Sequence, residues 1–410
     1  MKKLRSINMT TQIMIAMVLG IVVGSLVGPS IAPVKILGDI FLRLIQMSVV
    51  VMIMGAVIEA VGGLDPQELG KIGVKMAVWF LGGTLLAAAL GIFLGFVIQP
   101  GAGLDIQLEA SSQVASASPS LEEMVLNFFP TNIVQAMAEG SMIQVIIFAL
   151  LFGLAISVLS VTTDLTTLKS GINQFNQAIL QVVKFIMNLA PIGIFALLAD
   201  VTGRIGFQVI IPLSKFLLTM AIGTIIFMVI WLIVSGMIVK VSPVLILKKI
   251  WGMTIMAFTT TSSAITLPVK MEDQENKLGV SKRISGLVGP LGMAMNSNGL
   301  SLFLAIAAIT LAQFYGLEFG VADAVQTVVL STLATLGTVA VPGGGLVALA
   351  IVIPALGLPL ESIGLLAGID WFSGMFRTVL NVDADALIAM IIAHGEGEID
   401  RTILESEQHI

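Results

Sequence analysis

Near its C-terminal end the chain reads Asp370-Trp-Phe-Ser-Gly-Met-Phe-Arg377-Thr-Val-Leu-Asn381-Val-Asp-Ala-Asp385, inside the apolar segment 360–392. Arg377, Asn381 and Asp385 follow one another at intervals of four residues, so on a helix they share one face. An ionisable side chain at the centre of a bilayer costs roughly 2.5–3.5 kcal/mol, and it therefore normally faces a protein interior or an aqueous cavity. The stretch predicts a membrane helix whose polar face forms a buried site for an anion.

The composition of the whole chain is that of a polytopic membrane protein. Of its 410 residues, 57% are hydrophobic and only 11% are charged, whereas ordinary soluble domains carry about 25% charged residues. The length allows roughly eight to ten helical spans. Sparse basic residues do not indicate nucleic-acid binding, and the absence of cysteine excludes disulfides and thiolate metal sites. Both histidines, His394 and His409, lie near the C-terminus, and no nucleophile–base pair or nucleotide loop is recognisable. The sequence therefore does not indicate an enzyme, and no organic cofactor is expected.

Apolar stretches predict eight spans, near residues 10–30, 36–62, 72–98, 127–160, 173–200, 208–240, 284–313 and 360–393. Two further segments are interrupted in the middle: 243–271, around Thr259-Thr-Thr-Ser-Ser263, and 323–356, around Gly337-Thr-Val-Ala-Val-Pro-Gly-Gly-Gly345. Short apolar arms around a polar or glycine-rich middle are typical of re-entrant hairpins, and paired interruptions often mark the binding site of a transporter. Kinked spans or loops are the alternative.

The connecting segments suggest a topology. Segment 100–125 predicts a flexible extramembrane linker, 272–283 predicts a charged cytoplasmic loop, and the acidic tail 394–410 is expected to be solvated. A cytoplasmic N-terminus, followed by an uncleaved first span in the plasma (inner) membrane, agrees with the positive-inside bias. It allows these basic residues to lie on one side: Lys2, Lys3, Arg5, Lys71, Lys75, Lys248 and Lys249.

The seventh span is interrupted by Gly292-Met-Ala-Met-Asn296-Ser-Asn298-Gly299. Two amides and two glycines can unwind a helix and free its carbonyl oxygens, which are the ligands that a hard cation such as Na⁺ prefers. Hydrogen bonding between helices by Asn296 and Asn298 is the alternative.

On the last span, Asp385 lies two turns from Arg377, roughly 12 Å away, which is too far for direct neutralisation. Asp385 is thus expected to be free to take a coupling cation, with Asn381 one turn away, while Arg377 takes an anionic substrate. An ion pair between Asp385 and another helix is the alternative.

The tips of the two interrupted segments carry backbone groups suited to an anion. Ser262-Ser263 and Val341-Pro-Gly-Gly-Gly345 are expected to offer N–H groups to a carboxylate, as helix N-termini do. Glycine permits close approach, so the tip after Pro342 is a candidate mobile gate. A plain glycine turn is the alternative.

In combination these motifs resemble the dicarboxylate/amino acid:cation symporters, the family of the prokaryotic and neuronal glutamate transporters. The likeness covers nearly the whole chain and rests on these motifs in the family's order: Pro130-Thr-Asn132, Ala190-Pro-Ile-Gly-Ile-Phe195, Ser262-Ser-Ala-Ile-Thr-Leu-Pro268, Asn296-Ser-Asn-Gly299, Val341-Pro-Gly-Gly-Gly345, Gly368-Ile-Asp370 and Arg377-Thr-Val-Leu-Asn381 through Asp385. The resemblance implies an all-α protein of eight transmembrane helices and two re-entrant hairpins that forms a homotrimer in the lipid bilayer.

The resemblance also implies two functional units. A scaffold of residues 1–70 (first and second spans) and 126–205 (fourth and fifth spans) would hold the trimer together. A transport domain would move across the membrane like an elevator. It would comprise 71–125 (third span and linker) and 206–395 (sixth span, first hairpin, seventh span, second hairpin and eighth span). Residues 396–410 would form a cytoplasmic tail.

Site residues follow from the resemblance position by position. Arg377 matches the arginine that binds the distal carboxylate of acidic substrates. The other implied substrate-binding residues are Ser262, Ser263, Val341, Gly343, Gly345, Asp370, Thr378 and Asn381. One sodium site is implied complete, at Gly292, Asn296, Asn381 and Asp385. A second, weaker sodium site would use Ala294, Thr335, Leu336 and Thr338, and a degraded third site would use Thr84 and Asn298.

Two departures from the family pattern bear on the coupling ion. The usual seventh-span signature is Asn-Met-Asp-Gly-Thr, whereas this chain has an amide, Asn298, in place of the aspartate. Phe80 and Gly83 stand where the same deep site usually has a tyrosine and a threonine, although Thr84 keeps a hydroxyl. The deep sodium site is therefore expected to be weak or absent.

Two more departures bear on the substrate. Gly374 stands where amino-acid transporters usually have the aspartate that pairs with the substrate ammonium. Leu300 replaces a threonine that contacts the distal carboxylate. The substrate is expected to lack an amine, as C4-dicarboxylates do, or to bind the amine differently.

The sequence therefore predicts a secondary active symporter that moves a small anionic substrate, a C4-dicarboxylate or an acidic amino acid, together with Na⁺. Proton coupling, with Asp385 or Asp383 as the carrier, is one alternative. Uncoupled anion flux on the same scaffold is the other.

Overall fold

The chain is represented by a computed structural model, which describes residues 9–63, 72–103, 126, 129–335 and 344–406. Nearly all of these residues are helical, and β-structure within them is confined to an isolated bridge between Val280 and Ile399. The predicted all-α class is therefore confirmed.

The helices of the first half of the chain are α1 (Met9–Val27), α2 (Lys35–Gly62), α3 (Val74–Ile98), α4 (Ile133–Glu139), α5 (Met142–Leu159), α6 (Thr166–Met187) and α7 (Ala190–Ile205). Those of the second half are α8 (Ile210–Val239), α9 (Pro243–Thr260), α10 (Ser263–Asn276), α11 (Lys282–Met295), α12 (Asn298–Phe314), α13 (Val321–Thr335), α14 (Gly344–Ala355), α15 (Ile363–Ala367), α16 (Asp370–Glu396) and α17 (Arg401–Glu405). Short 3₁₀ turns lie at Gly28–Val34, Gly206–Val209 and Leu360–Ser362.

Several of these helices are suited to a bilayer. Within the described residues, four segments are long and apolar enough to cross a membrane: Thr11–Glu59, Val74–Ile98, Ile210–Val239 and Lys282–Phe314. Helices α6 and α7, bent by 49° at the break between them, would add a fifth if the pair forms one span. The predicted stretch 127–160 is divided, because Gly140 ends α4 in the left-handed conformation at φ +70°. The eight spans, the re-entrant hairpins and the homotrimer stay predictions.

The helices pack in two main groups. In the first, α1 lies along α7, while α2 contacts α5, α6 and α7. In the second, α12 lies along α3, and α16 contacts α8, α9, α11 and α12. Helices α13 and α14 contact both groups. These contacts show which helices are neighbours, but they do not show which helices move. The division into a scaffold and a moving domain therefore stays a prediction.

Helix α12 forms the centre of the second group, and nearly all of its residues are buried. Small residues on α3 allow the two helices to approach closely. A β-carbon on Gly91 would lie 2.7 Å from the carbonyl oxygen of Leu302, and one on Gly95 would lie 3.0 Å from the side chain of Ile309. Larger residues at these positions would push α3 away from the helix that leads into the polar interior.

Two breaks in the helices bring backbone polar groups inside the protein. Between α9 and α10, Thr261 takes a left-handed conformation at φ +51°, and the Ser262 hydroxyl caps α10 by accepting from the Ile265 N–H at 3.3 Å. Between α11 and α12, Asn296 and Ser297 leave the helical conformation, with ψ of 102° and 63°. The predicted unwinding at this position is confirmed. The predicted gate at Pro342 lies outside the described residues.

The C-terminal segment is docked on the protein through a few residues near Leu404. Leu404 is fully buried, and the buried Lys249 donates from Nζ to the carbonyl of Ile403 at 2.8 Å. The second acceptor of Lys249 is the carbonyl of Lys277, at 2.9 Å. The expectation of a solvated tail is therefore wrong for Leu404, which packs inside, and holds for exposed residues such as Asp400, Thr402 and Glu405.

The predicted charged loop 272–283 is also shorter than expected. Helix α10 continues through Asn276, and Asp273 and Gln274 are buried on it. The loop is limited to the residues between Asn276 and Lys282, and the docked C-terminal segment pairs with it through the Val280–Ile399 bridge.

One contact of this docked segment depends on pH. Hydrogen bonds from Arg283 and then Ser281 lower the pKa of Glu398 from its ordinary value of 4.5. A carboxylate with a lowered pKa stabilises the folded state above its ordinary pKa, and this contribution is lost as the pH falls through the lowered value. We expect faster amide hydrogen exchange of residues 401–405 in Glu398→Gln than in the wild type at pH 7. The difference should begin to shrink as the pH falls below 4.5 and disappear once the pH is below the lowered pKa of Glu398. A difference that persists in acid would show that the charge is not involved.

Candidate functional site

Arg377 lies on the second turn of α16 with most of its side chain buried. Its Nη2 donates to the main-chain oxygen of Asp370 at 3.1 Å and lies at ion-pair distance, 2.9 Å, from the Asp370 carboxylate. The guanidinium carbon lies 4.4 Å from the centre of the Phe303 ring on α12, which adds a cation–π contact. The Nη1 group has no hydrogen-bond partner within the part of the chain that the structure describes. Arg377 is thus held through Nη2, while Nη1 is buried against Gly345.

Glycines allow the backbone to close around this side chain. A β-carbon on Gly345, at the start of α14, would overlap both Arg377 and Asp370. A β-carbon on Gly299 would overlap the main chain of Arg377. Gly345 and Asp370, both predicted substrate-binding residues, are therefore brought together with Arg377. Substitution of either glycine would require the guanidinium or the helix to move.

The first-hairpin tip reaches the same helix from another side. A β-carbon on Gly374 would lie 3.2 Å from Arg377 Nη2 and 4.0 Å from the β-carbon of Thr261. Asn381 holds the start of α12, because its side-chain oxygen accepts from the Gly299 N–H at 2.7 Å. Thr378 donates its hydroxyl within α16, to the carbonyl of Gly374 at 2.8 Å.

The remaining predicted substrate-binding residues are less well defined. Ser263 is buried in the first turn of α10, and Ser262 caps that helix. Val341 and Gly343 lie outside the described residues. Of the predicted set, the structure therefore gathers Arg377, Asp370 and Gly345 in direct contact and brings the tip at Thr261 close to them.

A second polar centre lies deeper, around Asp385. Its Oδ2 accepts from Lys270 Nζ at 2.7 Å, and its Oδ1 accepts from the Asn296 side-chain amide at 2.7 Å. Lys270, on α10, donates in addition to the carbonyl of Gly289 at 3.0 Å. The side chains of Lys270 and Asp385 are 0% and 1% exposed. The centre therefore contains a buried, hydrogen-bonded ion pair.

This pair corrects the expectation that Asp385 is free to take a cation. Both carboxylate oxygens already accept hydrogen bonds, and one of them faces an ammonium group. The carbonyl of Gly292, another implied ligand, accepts the Asn296 N–H at 2.8 Å within the last turn of α11. A sodium ion placed here would meet a like charge in a low-dielectric interior, so the residues as arranged do not fit Na⁺. The alternative reading of an interhelical ion pair is the one observed.

The other two implied ion sites are described to different extents. Leu336 and Thr338 lie outside the described residues, while Thr335 and Ala294 lie in the last turns of α13 and α11. The deep site does bring Thr84 and Asn298 together, with the hydroxyl 3.3 Å from the amide oxygen. That hydroxyl also bonds the Phe80 carbonyl at 2.7 Å. Without a carboxylate these neutral donors are weak ligands for Na⁺.

Asp383, the other carboxylate considered as a proton carrier, is fully buried on α16. One of its oxygens accepts from the Thr254 hydroxyl on α9 at 2.8 Å, and the other has no hydrogen-bond partner among the described residues. Within the described residues no group of three or more His, Cys, Asp or Glu side chains could hold a metal ion.

Sequence reasoning missed Lys270 and Phe303. A signal for Lys270 existed, because this lysine lies in an arm predicted to enter the membrane, where the cost that singled out Arg377 applies equally. Lys270 also lies four residues from Thr266 and from Gln274, both buried, so a polar face could have been recognised on that helix. Phe303 carried no signal, since an aromatic residue in an apolar helix is ordinary.

Apolar helices gathered around two buried ion pairs define an integral membrane protein with a polar interior. The chain belongs to the sodium:dicarboxylate symporter family, whose sequence profile matches residues 9–395. It is therefore a membrane transporter and not an enzyme.

Three relatives illustrate the range of the family. The proton/glutamate-aspartate symporter of Bacillus subtilis (strain 168) is 32% identical over 395 residues, covering 94% of each chain. The proton/glutamate-aspartate symporter of Escherichia coli (strain K12) is 33% identical over 416 residues, covering 96% of this chain and 94% of the relative. The C4-dicarboxylate transport protein of Bacillus subtilis (strain 168) is 30% identical over 405 residues, covering 96% and 94%. The resemblance stated from the motifs is confirmed.

Proposed function

We propose that this chain is a secondary active symporter that carries a small dianion, a C4-dicarboxylate or an acidic amino acid, driven by a cation gradient. The observation that supports it best is the half-engaged Arg377. Asp370 holds Nη2, so the guanidinium is positioned, while Nη1 has no hydrogen-bond partner among the described residues and is the donor that we assign to a substrate carboxylate. The names of the relatives include both substrate classes.

Neutrality of the polar interior gives a reason for symport. Arg377 with Asp370, and Lys270 with Asp385, are each close to net neutral before substrate enters. A dianion bound at Arg377 therefore brings uncompensated negative charge into the protein interior, where an isolated charge is costly. A cation that accompanies the substrate would lower this cost.

The coupling ion has two candidates. Sodium is the ion that the resemblance implied, and its Asp385 site is the one that Lys270 now occupies. The proton is favoured by that occupancy, whereas the names of the relatives include both proton and proton/sodium symporters. A proton needs a single acceptor and no coordination shell, so Asp383, with one unpartnered oxygen, is the candidate carrier.

For the assembly, we propose a homotrimer with a cytoplasmic N-terminus, in which α3 and residues 206–395 move as an elevator against the other helices. The close packing of α3, α8, α12 and α16 supports a single moving unit.

Uptake into proteoliposomes tests the function. Purified protein is reconstituted, and radiolabelled succinate, fumarate, aspartate and glutamate are offered under a sodium gradient alone or a proton gradient alone. Accumulation above the equilibrium level under a proton gradient is expected for at least one substrate. Accumulation driven only by sodium would select the other ion. Equilibration without accumulation would identify an uncoupled facilitator and contradict symport.

Gly374 predicts a preference for substrates without an amine. In Gly374→Asp a carboxylate would lie close to Arg377 and near the first-hairpin tip, where it can pair with an ammonium. One charge-assisted hydrogen bond contributes about 1.5–3 kcal/mol, so the affinity ratio of aspartate to succinate should rise by roughly tenfold or more. Competition binding against labelled succinate measures this ratio. Gly374→Asn, which has the same shape without the charge, is the control. A wild type that already binds aspartate much better than succinate would contradict the prediction.

A further inference from the structure

Lys270 is placed where a cation bound to Asp385 would lie. Its Nζ is 2.7 Å from Asp385 Oδ2 and donates to the carbonyl of Gly289 at 3.0 Å. A carboxylate oxygen and a main-chain carbonyl are the types of ligand that a sodium ion requires. The lysine reaches them from α10, whereas the ligands belong to α11 and α16. The oxygens of this centre are therefore already bound to one positive charge that is part of the protein.

Competition between this ammonium and a free cation is decided by charge. Among the described residues, Asp385 carries the one carboxylate that pairs with Lys270, and its second oxygen accepts from the neutral Asn296 amide. Two cations against one carboxylate would leave one positive charge uncompensated at a fully buried position. Lys270 is covalently attached, so it does not have to be recruited from solution and cannot be washed away.

We propose that Lys270 is the resident cation of Asp385, which excludes Na⁺ from this position and so bears on which ion the transporter can use. This inference rests on the proposed symport function, because it assigns a residue that bears on the coupling ion of the same transport cycle. It also implies that a neutral side chain at position 270 would open a monovalent-cation site. That site would use Asp385, the carbonyl of Gly289 and the Asn296 side-chain oxygen, which is buried without a hydrogen-bond partner.

The test uses sodium itself as the probe and does not require transport. Wild type, Lys270→Met and Lys270→Met/Asp385→Asn are purified in detergent, and each is melted in sodium chloride and in choline chloride at equal ionic strength. Binding to the folded state raises the melting temperature by mass action. We expect Lys270→Met to gain a sodium-specific rise of at least about 3 °C. The wild type and the double variant should show equal, small differences between the two salts.

Lys249 provides a matched control. It is as deeply buried as Lys270, but its Nζ donates to the carbonyls of Lys277 and Ile403, so removing it does not leave a buried carboxylate. Lys249→Met is expected to lose stability without gaining a sodium response.

Three results would overturn the proposal. One is a folded Lys270→Met with no sodium-specific rise, since the pair would then be structural only. Another is an equal rise in Lys249→Met. The third is a larger rise in the wild type than in the double variant, which would place sodium at Asp385 beside the lysine. If Lys270→Met does not fold, the comparison of the wild type with the double variant still tests whether sodium binds at Asp385 beside the lysine. A failure of substrate accumulation in proteoliposomes would instead count against the proposed function and would leave these melting results unaffected.

Discussion

Replacement of Arg377 by alanine is expected to lower the affinity for the best dicarboxylate by roughly 30-fold to 4,000-fold, equivalent to about 2–5 kcal/mol. The loss follows because a buried substrate carboxylate would keep its desolvation cost and lose its charged donors. The unpartnered Nη1 provides the expected contact, and Asp370 keeps the guanidinium in position. Isothermal titration calorimetry on the purified protein measures the effect. Unchanged affinity would end the assignment of Arg377 as the carboxylate donor.

Two further variants separate the substrate contact from the contact with Asp370. Arg377→Lys keeps a positive charge but loses the planar fork, so an intermediate affinity is expected. Arg377→Ala/Asp370→Asn removes the carboxylate that the single variant leaves without its partner. If the double variant bound the dicarboxylate as the wild type does, the affinity lost in Arg377→Ala would have come from repulsion by Asp370.

The polar face of α16 and the helix break at Asn296 could be predicted from the sequence, because both depend on neighbouring residues. Arg377, Asn381 and Asp385 repeat at helical spacing, and α16 does carry them on one helix. The amides and glycines around Asn296 predicted a break, and the helix is broken there. Each of these inferences needs only the periodicity or conformational preference of neighbouring residues.

The polar centre around Asp385 was predicted less well, because it depends on packing between distant parts of the chain. Lys270 and Asp385 are separated by 115 positions in the sequence. Neither periodicity nor composition predicts that α10 packs against α16 so that these two side chains meet. The family resemblance supplied the ligands of the implied sodium site but not the residues around them. It therefore gave no indication that Lys270 contacts Asp385. The docked C-terminal segment was missed for the same reason, since its anchor is the distant Lys249.

Breaking the deep ion pair on one side only is expected to destabilise the protein strongly. In Asp385→Asn the ammonium of Lys270 would stay fully buried without a carboxylate, and removing one partner of a buried pair typically costs about 3–5 kcal/mol. We expect the melting temperature in detergent and choline chloride to fall by roughly 3–6 °C. In Lys270→Met/Asp385→Asn neither charge is left, and a buried pair can often be replaced by neutral groups at little cost, so most of the lost stability should return. The double-mutant cycle therefore measures the coupling of the two residues, independently of substrate and sodium. Additive losses in the two single variants and the double variant would mean that Lys270 and Asp385 do not depend on each other, and the ion-pair account of this centre would then be wrong.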